Sequence, residues 1–129
     1  MLARMPDDAL IDLRDQLRAF AAARDWAPFH SPKNLACALS VEAAELLEHF
    51  QWLDEDASRA LAPARRAEVA HEAADVLLYL IQLADSLGID LAAAAREKIV
   101  LNAARYPVEA SRGHARRPVR GSAPDTPEA

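Results

Sequence analysis

The sequence predicts an all-α fold built on four long helices, and three observations carry that expectation. Of its 129 residues 52% are apolar, only three are glycine, and aromatics make up 5%. Alanine and leucine dominate the apolar share; both enter helices at little free-energy cost, whereas strands favour β-branched and aromatic residues. Leucine and phenylalanine then recur at three- and four-residue spacing between proline, serine and aspartate punctuation. A chain of this length has room for one domain and one core.

The first helix is expected from about Asp7 to Arg24. Asp7 or Asp8 can cap it, and Leu10, Leu13, Leu17 and Phe20 form its apolar face. Irregular backbone follows at Asp25-Trp26-Ala27-Pro28-Phe29-His30. Ser31 then reads as an N-cap with Pro32 at the first helical position, where its missing N–H costs nothing, and this second helix runs to about Leu53. An acidic connection from Asp54 to Ala62 has room for a short helical turn. Pro63 opens a third long helix that reaches Ser86 and stops at Gly88. Its centre, Val76-Leu77-Leu78-Tyr79-Leu80-Ile81, is apolar on every side, as in a helix buried all round. Asp90 caps a fourth helix, Leu91 to about Arg105, which Tyr106-Pro107 ends. The domain is thus expected to occupy residues 1–107. A disordered tail is expected over 108–129, rich in proline, glycine and charge.

Charge and cysteine content narrow the function classes. The net charge of −5 argues against non-specific nucleic-acid binding, which depends on lysine and arginine neutralising phosphates. Cys37, the only cysteine, excludes an intrachain disulfide; it reads as a small buried thiol in a helix rather than as a nucleophile. No stretch approaches transmembrane length and the N-terminus lacks a signal-peptide core. The expectation is a cytoplasmic protein that binds neither nucleic acid nor membrane.

Helix geometry singles out four carboxylates. At about 100° per residue, Glu42 and Glu45 share a face of the second helix with Leu35, Leu39, Leu46 and Leu53. Glu72 and Asp75 share a face of the third with Val76, Tyr79 and Leu83. Burying an ionised carboxylate is costly unless it is paired or coordinated. Only Arg65 and Lys98 are placed to reach the region, so a hard divalent cation such as Mg²⁺, which prefers carboxylate and water oxygens, resolves the conflict. The plainer reading puts these acids at the solvated edge of the stripe in ordinary ion pairs. Glu68-Val-Ala-His71 carries the Glu-x-x-His pattern of four-helix di-iron proteins. Those sites need a second copy of the pattern, which this sequence lacks.

Glu42-x-x-Glu45 and Glu72-x-x-Asp75 on consecutive long helices resemble the MazG-like all-α nucleotide pyrophosphohydrolases. RDWAPFHSPKNLACALSVEAAELLEHFQW from Arg24, HEAADVLLYLIQLADSLGIDL from His71 and KIVLNAARYP from Lys98 resemble its dCTP pyrophosphatase branch. Adjacent acids open the motif in the broader family; here Val41 takes the first place, as in the dCTP-like branch.

The resemblance implies a four-helix MazG-like bundle with Mg²⁺ held by Glu42, Glu45, Glu72 and Asp75. Glu45 would also orient or deprotonate the attacking water. It assigns phosphate contacts to Lys98, Asn102 and Arg105, which helical spacing places on one face. It assigns the base pocket to His30, Trp26, Trp52 and Tyr79, with Asn34 and His49 able to approach. Trp26 and Trp52 can equally be read as core residues, and His30 as a brace for the following helix.

The implied reaction is hydrolysis of a nucleoside triphosphate to monophosphate and pyrophosphate. Its implied role is nucleotide-pool sanitation, with cytosine-type deoxynucleotides as substrates. A helix apolar all round cannot be covered by three short neighbours, so a homodimer or homotetramer is expected to complete the bundle. The competing expectation is a non-catalytic helical oligomeric interaction protein, which would leave the inward acids without a purpose.

Overall fold

The computed structural model describes residues 6–116 and is helical throughout, with no strand among the described residues. Its elements are α1 (Pro6–Ala23), a 3-10 turn (Ala27–Phe29), α2 (Pro32–Glu48), α3 (Glu55–Arg59), α4 (Pro63–Ser86), α5 (Leu91–Arg105) and α6 (Val108–Ser111). The four long helices are those expected, and the chain divides into two compact units, one ending at Ala92 and the next beginning at Ala93.

The chain signals that set the helix ends are local. Ser31 caps α2, its hydroxyl accepting the Asn34 backbone N–H at 3.2 Å. Asp54 caps α3 through Ala57 N–H at 2.7 Å. Past the end of α4, Gly88 adopts φ +65°. Ile89 N–H bonds to Ala84 O at 2.9 Å and Gly88 N–H to Asp85 O at 3.2 Å, the paired bonds of a Schellman turn. α1 ends the same way without a glycine: Asp25 takes φ +52°. Trp26 N–H reaches Ala21 O at 3.1 Å and Asp25 N–H reaches Ala22 O at 3.2 Å. Aspartate is among the few residues that tolerate this left-handed conformation. The turn therefore fixes where Trp26 leaves the helix.

In the unit that ends at Ala92, α4 packs along α2 and, less extensively, against α1. Among the described residues Leu35, Ile81 and Ala84 are buried, at 2%, 4% and 5% exposed. At the α1 side the Arg18 guanidinium grips the Asp85 carboxylate, with Nε donating to Oδ2 at 2.9 Å.

Several expectations need correction. α2 stops at Glu48 rather than near Leu53, because Phe50 N–H bonds to Leu47 O and Leu53 N–H to Phe50 O, tightening the chain into turns. Within the single chain the centre of α4 is not buried all round: Ile81 is buried, Leu77 is 38% exposed, and Val76, Leu78, Tyr79 and Leu80 are half-buried. Cys37 is exposed rather than buried, since it lies about 200° around α2 from Leu35. The expected tail begins with a helical turn, α6, and residues 117–129 lie outside the described part. Among the described residues no single helix is long and apolar enough to cross a membrane.

Candidate metal and nucleotide site

Glu42 and Glu45, three residues apart on α2, face Glu72 and Asp75 on α4. Carboxylate oxygens of Glu42, Glu45 and Glu72 lie within 4.8 Å of one another. Asp75 is more exposed but close enough for its charge to act on Glu42. Glu42 Oε2 and Glu72 Oε2 are both shut off from solvent and have no hydrogen-bond partner. Burial, the adjoining Glu45 carboxyl and the charges of Asp75 and Glu72 push the Glu42 pKa from 4.5 up to about 7. A buried, unpartnered carboxylate oxygen is costly, and two of them on residues of one carboxylate cluster fit a hard divalent cation.

The nearby basic groups do not neutralise this cluster. Arg65 Nε stands 4.0 Å from Glu68 Oε2, one turn before Glu72. His49, the C-cap of α2, meets the same carboxylate, Nδ1 to Oε2 at 3.8 Å. Contact between Glu45 and Glu72, and between His49 and Glu68 one turn farther on, shows two helices running antiparallel in a single register.

The expected base residues are not gathered at one point. Trp26 and His30 are neighbours, their rings edge-on at 6.0 Å, and Phe20 packs edge-on to Trp26 at 5.6 Å. Asn34 holds the segment between them, its side-chain amide donating to Phe29 O at 3.1 Å. Trp52, in the turns after α2, is 87% exposed, and Tyr79 is half-buried on α4. Lys98, Asn102 and Arg105 are exposed on α5 within the unit that begins at Ala93. Arg105 lies over the Tyr106 ring at 5.8 Å.

A cavity of about 300 Å³ beside His30 is a feature that residue patterns did not point to. Leu17, Ala21, Leu35 and Ile81 give it apolar walls, and Gln82 lines it from α4. The available signal was Gln82 itself, a lone amide inside the apolar run from Val76 to Leu83.

Comparison with known proteins identifies the family. The dCTP pyrophosphatase 1 of Rattus norvegicus is 45% identical over 112 residues, covering 85% of this chain and 66% of that protein. The Homo sapiens protein of the same name is 40% identical over 114 residues, covering 87% and 67%. The chain thus spans about two thirds of the length of these curated relatives. The crystal structure of a pyrophosphatase from Archaeoglobus fulgidus superposes with a TM-score of 0.74 at 39% identity, covering 83% of this chain and 98% of that one. A model of the MazG-like family matches residues 37–117, a span that includes both carboxylate pairs and all of α4 and α5. With fold, sequence and the facing acids in accord, the chain belongs to the MazG-like family.

Proposed function

We propose that this protein is a Mg²⁺-dependent nucleoside triphosphate pyrophosphohydrolase. It cleaves deoxynucleotides of the dCTP type, or modified ones, between the α and β phosphates and so clears them from the nucleotide pool. The observation that carries the reading is the pair of buried, unpartnered oxygens on Glu42 and Glu72. The names of the relatives, two dCTP pyrophosphatases and a pyrophosphatase, support the same reaction class.

Glu42, Glu45, Glu72 and Asp75 would hold the metal. When bound, Mg²⁺ supplies positive charge against the phosphate oxygens, the main demand of phosphoryl chemistry. Glu45 orients the attacking water and accepts its proton as the water oxygen bonds to phosphorus and the bridging P–O bond breaks. Lys98, Asn102 and Arg105 steady the departing pyrophosphate by charge and hydrogen bonding. Of the aromatic candidates Trp26, His30, Trp52 and Tyr79, whose faces suit a base's flat surface, the neighbouring Trp26 and His30 are the pair proposed to bind the base.

Assembly into a homodimer or homotetramer belongs to the same proposal. Its support is the apolar surface left on α2 and the turns after it: Val41 is 57% exposed, Leu47 58% and Trp52 87%. A cytoplasmic location is part of the same proposal. Incubation with a panel of dNTPs and Mg²⁺, with pyrophosphate measured, tests the activity. Release from at least one nucleotide is expected; none from any, canonical or modified, would favour the interaction protein.

A further inference from the structure

The cavity beside His30 and the carboxylate cluster lie on the same α2–α4 seam. Gln82 follows Asp75 by seven residues on α4, and Leu35 precedes Glu42 by seven on α2. Seven residues are nearly two full turns, so each pair shares a face, about 10 Å apart along the axis. That separation is comparable with the reach from a nucleoside's base to its phosphates. A nucleotide with its phosphates at the acids can therefore direct its base into this cavity.

The polar side chains lining the cavity are mostly occupied. Arg18 and Asp85 bind each other. Arg14 donates to Asp15 at 3.1 Å, and the Ser86 hydroxyl donates to Leu83 O at 2.7 Å. Gln82 differs. Its Nε2 donates to Leu78 O at 3.2 Å, which fixes the amide's orientation and leaves Oε1 as an acceptor.

We propose that Gln82 is a specificity-determining residue of the base pocket. Its Oε1 accepts from the exocyclic amino group of cytosine or adenine, whereas it meets the carbonyl oxygen that thymine or guanine presents there acceptor to acceptor. This rests on the nucleotide reading above and on His30 as a base residue.

The test compares kcat/KM for dCTP and dTTP in the wild-type protein, Gln82→Leu and His30→Ala. Gln82→Leu keeps the bulk and loses the acceptor, so the dCTP-to-dTTP ratio should fall about tenfold, the worth of one well-placed hydrogen bond. An equal loss for both nucleotides would mean a merely structural role and overturn the assignment. An unchanged ratio, with His30→Ala weakening every nucleotide, would overturn Gln82 alone and leave the base pocket standing. If neither substitution moves kcat/KM for any nucleotide, the cavity is not the base site and both fall. Should Gln82→Leu fail to fold, Gln82→Glu keeps the acceptor oxygens and is expected to retain the preference for dCTP; inversion of that preference would overturn the proposal.

Discussion

At the C-terminal end of α4, Asp85 meets the Arg18 guanidinium; near the middle of the same helix, Glu72 and Asp75 meet Glu42 and Glu45. The hydrogen bond and charge of Arg18 hold the Asp85 carboxyl below its ordinary 3.8. Burial and like charge push Glu42 the other way. One site is complete within the chain, and its carboxylate serves to pin α1 to α4. The other gathers like charges and leaves two buried oxygens without a partner. The contrast separates the part of the helix pair that holds the fold from the part proposed to do chemistry.

The sharpest way to break this contrast is catalytic. Glu45→Gln and Asp75→Asn should each cut pyrophosphate release by about 100-fold or more, with far-UV circular dichroism unchanged. Full activity in either purified variant would remove these residues from the assignment.

A second effect follows from the pKa shift. Because Glu42 sits at about 7 against an ordinary 4.5, its contribution to stability is complete below 4.5 and is lost as pH rises through 7. Metal-free protein should therefore gain more thermal stability from added Mg²⁺ at pH 8 than at pH 6. Asp85 behaves oppositely: its contribution holds above 3.8 and is lost only as pH falls through its still lower folded value. Equal Mg²⁺ shifts at both pH values, measured by differential scanning fluorimetry, would count against the cluster as the binding site.

Smaller changes are expected in metal-free melting at pH 8. Glu42→Gln removes a crowded charge and should raise the midpoint, by roughly several degrees. Arg18→Met removes a partly exposed partner and should lower it, by roughly a few degrees at most. Shifts of the same sign in the two variants would show that the ends of the helix do not differ as described.

Much of this was legible in the sequence. Ser31-Pro32 and Asp54 announce helix starts because capping is a local interaction, and Gly88 announces a stop because few other residues take its φ readily. The four acids were legible because about 100° per residue places them among apolar side chains. The end of α2 was not, since His49-Phe50-Gln51 contains no breaker and the chain turns through backbone bonds alone. The exposure of Cys37 and the half-burial of Tyr79 depend on which faces neighbouring helices cover. The Arg18–Asp85 pair joins residues 67 positions apart, a distance no local pattern spans.

The shared register of α2 and α4 has a consequence for how such a chain can change over evolution. The acids and Gln82 are phase-locked by two helical turns of unbroken α4. A single residue inserted or deleted between Asp75 and Gln82 would rotate one end against the other by about 100° and slide it about 1.5 Å. If Gln82 reads the base as proposed, substitutions there can retune base preference one side chain at a time, but length variation cannot. Insertions should accumulate instead in the connection from Asp54 to Ala62, where the seam does not register them.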